Sequence, residues 1–229
     1  MEIKILNLVS GAREAAGLTV IIDVFRAFSV ACYAVENGAE RIIPVGAVEE
    51  AYQIKKEHPE YLLMGEREEK MPEGFDFGNS PRQILHEDLS GKTIIHTTSA
   101  GTQGMVNAVN ADEVITGSFV NAGAIITYIR RQNPGLVSLV GMGYSARYPV
   151  EEDVACAEYI SNELQGIQND FGAIIEHIRN TSGKRFFLKE NQDHAPGEDF
   201  ELCLNINRFN FVLKRYSENN QMILKKIVL

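Results

Sequence analysis

The stretch that most constrains the fold is residues 19–35, in which an unbroken apolar run passes directly into a helical spacing of small and apolar residues. The β-branched residues at 20–22 predict a strand that is buried on both faces. The helical spacing ends at Gly38, a typical C-terminal stop for a helix. Two charged residues, Asp23 and Arg26, lie at the junction. The stretch therefore predicts one strand–helix unit of an α/β fold.

The junction residues have two interpretations. In an open parallel sheet, ligands bind at the carboxyl ends of the strands. A carboxylate such as Asp23 can hold a metal there, and a guanidinium at a helix start, such as Arg26, can bind a phosphate with two hydrogen bonds. Alternatively, Asp23 caps the helix and Arg26 pairs with it. This stretch alone leaves both interpretations open.

Strand-like and helix-like segments alternate through the larger part of the 229 residues. This alternation predicts a three-layer α/β/α fold with a mostly parallel central sheet. Two β-rich segments near the C-terminus, 211–216 and 222–228, flank Ser-Glu-Asn-Asn and predict an appended hairpin. Because no repeat, low-complexity tract or flexible linker interrupts the chain, we expect one domain over residues 1–229.

Charge and cysteine content narrow the class of protein. The net charge of −9 argues against a surface for nucleic acid or an anionic membrane. The three cysteines are widely spaced, as is typical of reduced core thiols in a cytosolic protein. No signal peptide is evident, and no apolar run approaches the roughly 20 residues that span a bilayer. We expect a soluble cytoplasmic protein, and a homo-oligomer stays open.

Polar side chains recur where the predicted strands end. Carboxyl ends of parallel strands share one edge of a sheet, so together these side chains describe a site for an anion and a metal. Residues 97–102 add hydroxyl groups and glycine-permitted backbone N–H groups at a helix start, which suits a phosphate. Each residue alone is explained equally well as a helix cap. The strand-end residues are Asp23, Glu66, Thr97, Thr98, Ser99 and Ser118.

Two further groups of polar residues lie at predicted helix starts. Asn79 and Ser80 lie in a turn that enters a helix at Pro81, where a simple cap explains them when they are judged alone. The acids at 151–153 open a later helix and either stabilise its dipole or supply a metal carboxylate. No HxxxH or HExxH spacing indicates zinc, whereas carboxylates with hydroxyls suit a hard cation such as Mg²⁺.

The sequence offers little support for a nucleotide-binding site. No GxxxxGK[ST] motif is present, which excludes a P-loop NTPase. Gly141 and Gly143 match a loose dinucleotide-binding pattern after a strand, but Tyr148-Pro149 interrupts the helix that should follow. A nucleotide-dependent oxidoreductase, which rests on these two glycines, is therefore the weakest hypothesis for this chain.

Several segments, in order over nearly the whole chain, resemble the 2-phosphosulfolactate phosphatase family. They are Ile22-Asp23-Val24-Phe25-Arg26-Ala27, Gly65-Glu66-Arg67, Gly74-Phe75-Asp76-Phe77-Gly78-Asn79-Ser80-Pro81, Thr97-Thr98 with Gly101-Thr102, and Glu152-Asp153 followed by Cys156-Ala157. The resemblance implies an α/β/α fold and Mg²⁺-dependent hydrolysis of a phosphomonoester. The substrate it implies is 2-phospho-3-sulfolactate, an intermediate of coenzyme M biosynthesis.

The resemblance also implies roles for the polar residues already described. Asp23, with one or two of Glu66, Glu152 and Asp153, is expected to hold Mg²⁺, and Arg26 and Arg67 to neutralise the anionic substrate. Arg147, in the loop after the strand at 136–141, is the candidate for the sulfonate, although an exposed loop arginine explains it equally well. The expected substrate contacts are Asn79, Ser80, Thr97, Thr98, Ser99, Gly101, Thr102 and Ser118.

Two departures from the family pattern bear on the substrate. Ser99-Ala100 stands where the family has Thr-Asn, so a side-chain amide is lost. Phe28 and Val30 replace hydroxyl-bearing residues after Arg26, leaving Ser29. The leading hypothesis is a Mg²⁺-dependent phosphatase for a small anionic phosphomonoester. Its rival, with Ala100 as support, is a small-anion or metabolite-binding protein that has lost turnover.

Overall fold

The computed structural model describes all 229 residues, in which strands and helices alternate as the sequence predicts. The strands are β1 (Glu2–Asn7), β2 (Leu18–Ile22), β3 (Arg41–Pro44), β4 (Leu62–Gly65), β5 (Thr93–Thr97), β6 (Glu113–Gly117), β7 (Leu136–Gly141), β8 (Phe211–Glu218) and β9 (Gln221–Val228). The helices are α1 (Leu8–Glu14), α2 (Ala27–Glu36), α3 (Val48–Glu57), α4 (Pro81–Ile84), α5 (Gly101–Asn107), α6 (Ala122–Gln132), α7 (Glu151–Gln165), α8 (Phe171–Asn180) and α9 (Gly197–Cys203). Three 3₁₀ segments, Phe119–Asn121, Ser182–Phe187 and Lys189–Asn191, lie between them.

The nine strands form one sheet in the order β1-β7-β2-β6-β8-β9-β3-β5-β4. Strands β1, β7, β2 and β6 pair in parallel, and β3, β5 and β4 form a second parallel group. The first group, of four strands, is the large half-sheet, and the second, of three strands, is the small half-sheet. With helices around the sheet, the predicted mostly parallel α/β architecture is confirmed.

The C-terminal hairpin predicted from the sequence is confirmed, but its place in the sheet is central. Strands β8 and β9 lie between the half-sheets, antiparallel to β6 on one side and to β3 on the other. The half-sheets therefore run in opposite directions through the sheet. The order of the strands along the chain does not indicate this arrangement, because the last two strands insert between strands that precede them in the sequence.

Burial follows from the apolar runs. All five residues of β2 are buried, which confirms a strand covered on both faces. Its side chains alternate between two core clusters, with Ile21 in one and Val20 and Ile22 in the other. Helix α2 is buried except for Glu36 at its end, so it is held inside the molecule along its length.

No helix of the structure is both long and apolar enough to cross a membrane.

Candidate active site

A small polar cleft is lined by residues from loops of both half-sheets. Its walls are the loops after β2, β4, β5 and β7, the start of α7 and the 3₁₀ segment Ser182–Phe187. Only four of its 15 lining residues are hydrophobic. Such a lining suits a small polar ligand. The charged lining residues are Asp23, Arg26, Glu66, Glu69, Glu152, Asp153 and Arg185.

Asp23 caps helix α2, as one interpretation of the sequence expects, and it also lines the cleft. Its Oδ1 accepts a hydrogen bond from the backbone N–H of Ala27 at 3.1 Å, so it caps the start of α2. It also lines the cleft, where burial, reinforced by nearby carboxylates, raises its pKa to about 7 despite that hydrogen bond. A Cβ atom on Gly101 would lie 2.8 Å from Asp23 Oδ2. Glycine at position 101 therefore lets α5 of one half-sheet approach the carboxylate of the other.

Arg26 is buried at the cleft, and its partner is not Asp23. Its Nη1 lies 2.6 Å from Oδ2 of Asp199, a fully buried residue of α9. The second oxygen of Asp199 accepts hydrogen bonds from Ser80 Oγ at 2.8 Å and from the Arg82 backbone N–H at 3.0 Å. Asp199 thus fixes the guanidinium, whose remaining donors are available to an anion in the cleft. The proposed pairing of Arg26 with Asp23 was wrong, since a residue far along the chain takes that place.

Glu66 joins two loops of the small half-sheet. Its Oε1 accepts a hydrogen bond from the Ser99 backbone N–H at 2.6 Å. Its Oε2 accepts from Ser99 Oγ at 3.1 Å and from the Glu69 backbone N–H at 2.9 Å. Both carboxylate oxygens are therefore engaged in holding the wall of the cleft.

Asp153 joins two loops of the large half-sheet in the same way. Its Oδ1 accepts a hydrogen bond from the Val24 backbone N–H at 2.9 Å, and its Oδ2 from the Gly143 N–H at 2.8 Å. Burial raises the pKa of Asp153 well above its usual range, and the adjacent Asp23 and Glu152 add to the effect. The acid therefore connects the ends of β2 and β7, next to Asp23.

Glu152 differs from the other acids of the cleft because one of its oxygens is both buried and without a partner. Oε2 is buried and accepts no hydrogen bond in the structure. Burial raises the pKa of Glu152, while the positive charge of Arg185 acts in the opposite direction. A buried, unpartnered carboxylate oxygen is costly unless something binds it.

These observations test how well the cleft fits a divalent cation. No group of three or more acidic, histidine or cysteine side chains is arranged as a ready-made metal cage. Mg²⁺ often takes only one or two protein carboxylates and completes its shell with water and substrate phosphate. Asp23 and Glu152 suit that mode, since each uses at most one oxygen in the hydrogen bonds described above. Glu66 and Asp153 are better placed to orient the loops that carry them.

Other predicted residues lie behind the lining of the cleft. The Arg67 guanidinium donates to the backbone oxygens of Glu66 and Gly46, at 2.6 and 2.9 Å, and to Thr97 Oγ1 at 2.7 Å. Thr98 and Thr102 bond each other's backbone N–H groups at the start of α5. These residues support the site but do not line it.

Ser80, Ser118 and Arg147 are also outside the lining. Ser80 binds Asp199, as described above, and Ser118 Oγ lies 2.6 Å from Ser29 Oγ. Arg147 is exposed in the loop after β7. In contrast, Asn79 and Ser99 do line the cleft. Sequence and structure thus agree on Asp23, Arg26, Glu66, Asn79, Ser99, Glu152 and Asp153 as residues that meet at one place.

Sequence reasoning missed Asp199, Arg185 and Glu69. The first two follow α8, where strands and helices no longer alternate and no strand end marks a site. Arg185 lines the cleft and forms an ion pair with Glu69 at 2.5 Å. The only local signal was a basic pair, Lys184-Arg185, before two phenylalanines.

Comparison with known proteins identifies the family. The 2-phosphosulpholactate phosphatase family matches residues 4–218. A probable 2-phosphosulfolactate phosphatase of Thermotoga maritima is 35% identical over 195 residues, which cover 80% of this chain and 82% of the relative. Similar proteins of the same description come from Caldanaerobacter subterraneus, 32% identical with coverage of 85% and 86%, and Bacillus subtilis, 29% identical with coverage of 93% of each chain. This chain belongs to the 2-phosphosulpholactate phosphatase family of phosphoric monoester hydrolases.

Proposed function

We propose that this protein is a Mg²⁺-dependent phosphatase that hydrolyses 2-phosphosulfolactate to 3-sulfolactate and phosphate. The observation that carries the proposal is the juxtaposition, in one cleft, of a buried arginine fixed by Asp199 and a carboxylate oxygen of Glu152 with no partner. This juxtaposition supports a site for an anion next to a cation. The family and the relatives described above supply the reaction class and the substrate.

The charge of the cleft supports the need for a metal ion. Its lining carries five acidic side chains and two arginines, so the ionised cleft is itself negative. A substrate with phosphate, carboxylate and sulfonate groups would be repelled by such a lining unless a cation joined it. When bound, Mg²⁺ supplies positive charge to phosphoryl oxygens and lowers the pKa of bound water. Asp23 and Glu152 would hold it.

The residues of the chain itself perform the binding and orientation. Arg26 takes a phosphoryl oxygen with the donors that Asp199 does not use. Asn79 and Ser99 offer further polar groups at the lining, on the side of the small half-sheet. Because these groups are held in place by buried partners, they need little rearrangement to stabilise charge that develops on the phosphoryl group.

The loop after β7 is held in a defined position at the rim of the cleft. Tyr144 stands at the rim beside Gly143, whose N–H is held by Asp153. Glycine is required at 143, where φ is +69° and a Cβ atom would lie 2.1 Å from the Tyr148 backbone oxygen. The carboxylate of Asp153 therefore sets the position of the rim relative to Asp23.

The direct test is release of inorganic phosphate from 2-phosphosulfolactate, 2-phospholactate and p-nitrophenyl phosphate, with Mg²⁺ and with EDTA. We expect turnover that requires Mg²⁺ and is lost in the Asp23→Asn variant. Tight binding of these esters without phosphate release would instead support the anion-binding protein, for which Ala100 at the cleft is the specific feature. Equal turnover with EDTA would contradict the metal requirement.

A further inference from the structure

The cleft contains a second guanidinium besides that of Arg26. Arg185 belongs to the 3₁₀ segment between α8 and α9, and its side chain is 20% exposed. Its central carbon lies 5.2 Å from the centre of the Phe186 ring, and that of Arg26 lies 5.9 Å from the same centre. The two guanidinium groups, both from residues that line the cleft, thus lie near one buried aromatic ring.

The Arg185 guanidinium is positioned but not saturated. Its Nη1 binds Glu69 Oε1 at 2.5 Å, and its Nη2 donates to the Phe25 backbone oxygen at 3.3 Å. A guanidinium carries five N–H donors, so these two contacts leave most of them unused. The Nε atom is buried and has no hydrogen-bond partner. A buried N–H without a partner is costly, so a ligand that bound this guanidinium would remove part of that cost.

Two guanidinium groups in a small cleft suit a ligand with two separated oxyanions. A simple phosphomonoester with a neutral leaving group would use only the group at Arg26. We infer that Arg185 binds the second acidic group of the substrate, a sulfonate or carboxylate, and so selects phosphorylated acids over phosphomonoesters that lack one. The inference rests on the proposed function, and it gives Arg185 the role that the sequence suggested for Arg147.

The geometry favours Arg185 over Arg147 for this role. Arg147 is exposed and does not line the cleft, whereas Arg185 does. Glu69 binds only Nη1 of the Arg185 guanidinium, so the ion pair does not use all of its N–H donors. Tyr144, whose ring lies 5.6 Å from Arg185, borders the same space.

The test compares Arg185→Gln with the parent on three esters that differ in their acidic groups. 2-Phosphosulfolactate carries a carboxylate and a sulfonate, 2-phospholactate only the carboxylate, and p-nitrophenyl phosphate neither. We expect kcat/KM for 2-phosphosulfolactate to fall about 10- to 100-fold, mainly through KM, with less than about a threefold change for p-nitrophenyl phosphate. A fall in kcat/KM for both 2-phosphosulfolactate and 2-phospholactate assigns the carboxylate to Arg185. A fall for 2-phosphosulfolactate alone assigns the sulfonate. Either outcome supports the inference.

Two further variants separate binding from structure. Arg185→Lys keeps the charge but loses the fork, so an intermediate loss with the same substrate order is expected. Arg131→Gln removes the same charge from an exposed position at the far end of α6 and should change no ester. An equal loss on all three esters, or no loss on any, would overturn the role of Arg185.

A binding measurement keeps the inference testable if the proposed function fails. Isothermal titration calorimetry with 3-sulfolactate, which has no phosphate to hydrolyse, should give a Kd at least about tenfold weaker for Arg185→Gln than for the parent. If the parent protein releases phosphate from none of the esters but still shows this difference in Kd, the proposed phosphatase activity is refuted and the binding role of Arg185 is supported. A parent that binds 3-sulfolactate no better than the variant overturns the inference.

Discussion

At the scale of single residues, Asp199 is the support on which Arg26 depends. It is fully buried and uses both oxygens, one for Arg26 and the other for the loop at Ser80 and Arg82. Removing one member of a buried ion pair leaves the other charge without compensation. In the proposed mechanism Asp199 is therefore a positioning residue, since it holds Arg26 and does not itself line the cleft.

We expect Asp199→Asn to lower kcat/KM at least about tenfold and to reduce the free energy of unfolding by roughly 3 kcal/mol. Chemical denaturation and steady-state kinetics measure the two effects separately. The Arg26→Gln and Asp199→Asn changes should be strongly non-additive when combined, because both disable one group. Additive losses in catalysis would mean that Asp199 acts independently of Arg26.

Glu152 and Asp153 are adjacent acids with different surroundings, and they allow a matched comparison. Glu152→Gln removes a buried charge with an unpartnered oxygen, so we expect unchanged or higher stability without Mg²⁺ and a Mg²⁺ affinity at least about tenfold weaker. Asp153→Asn places an amide NH₂ against a backbone N–H, so stability should fall by about 1–3 kcal/mol. Thermal unfolding with and without Mg²⁺ gives both results. Equal behaviour of the two variants would contradict the separate roles.

At the scale of elements, the alternation of strands and helices and the junction of β2 with α2 were predictable from the sequence. Apolar runs indicate burial, and a buried strand such as β2 can be recognised from its own residues. The place of β8 and β9 between the half-sheets was not predictable, because pairing partners in a sheet are set by contacts across the whole chain. Asp23 and Glu66 could be found because they follow strands. Asp199 and Arg185 could not, since their chemistry depends on residues more than 150 positions away.

The central hairpin links the half-sheets and hence the two walls of the cleft. Leu224 of β9 is fully buried opposite Ile42 of β3, whereas the next residue, Lys225, is half-exposed and pairs with Glu218. We expect Leu224→Ala to cost about 2–5 kcal/mol of stability, and Lys225→Ala less than about 0.5 kcal/mol. Urea denaturation of the two variants tests this. A small loss for Leu224→Ala would mean that the half-sheets hold together without the hairpin.

At the scale of the whole molecule, the acids of the cleft couple stability to pH. Asp23 has a pKa of about 7 in the folded protein, against 3.8 for the ordinary side chain. Between these values the folded state binds more protons than the unfolded state. The free energy of unfolding contributed by Asp23 therefore decreases as pH rises through this window. Burial raises the pKa of Glu152 and Asp153 as well, so their contributions have the same sign.

At the proposed site a divalent cation would reverse this cost by binding the ionised carboxylates that the folded protein otherwise disfavours. We expect Mg²⁺ to raise Tm more at pH 8 than at pH 5.5. At a concentration of about 100 times Kd, the gain at pH 8 should be about 2.7 kcal/mol, or roughly 5–10 °C. Thermal unfolding at the two pH values, with Mg²⁺ and with EDTA, measures the difference. The Asp23→Asn variant cannot ionise at this position, so its Tm should respond less to Mg²⁺ and to pH. An equal Mg²⁺ shift at both pH values in the parent protein would show that the metal does not bind through these carboxylates, since ligands that must first lose a proton bind more weakly in acid.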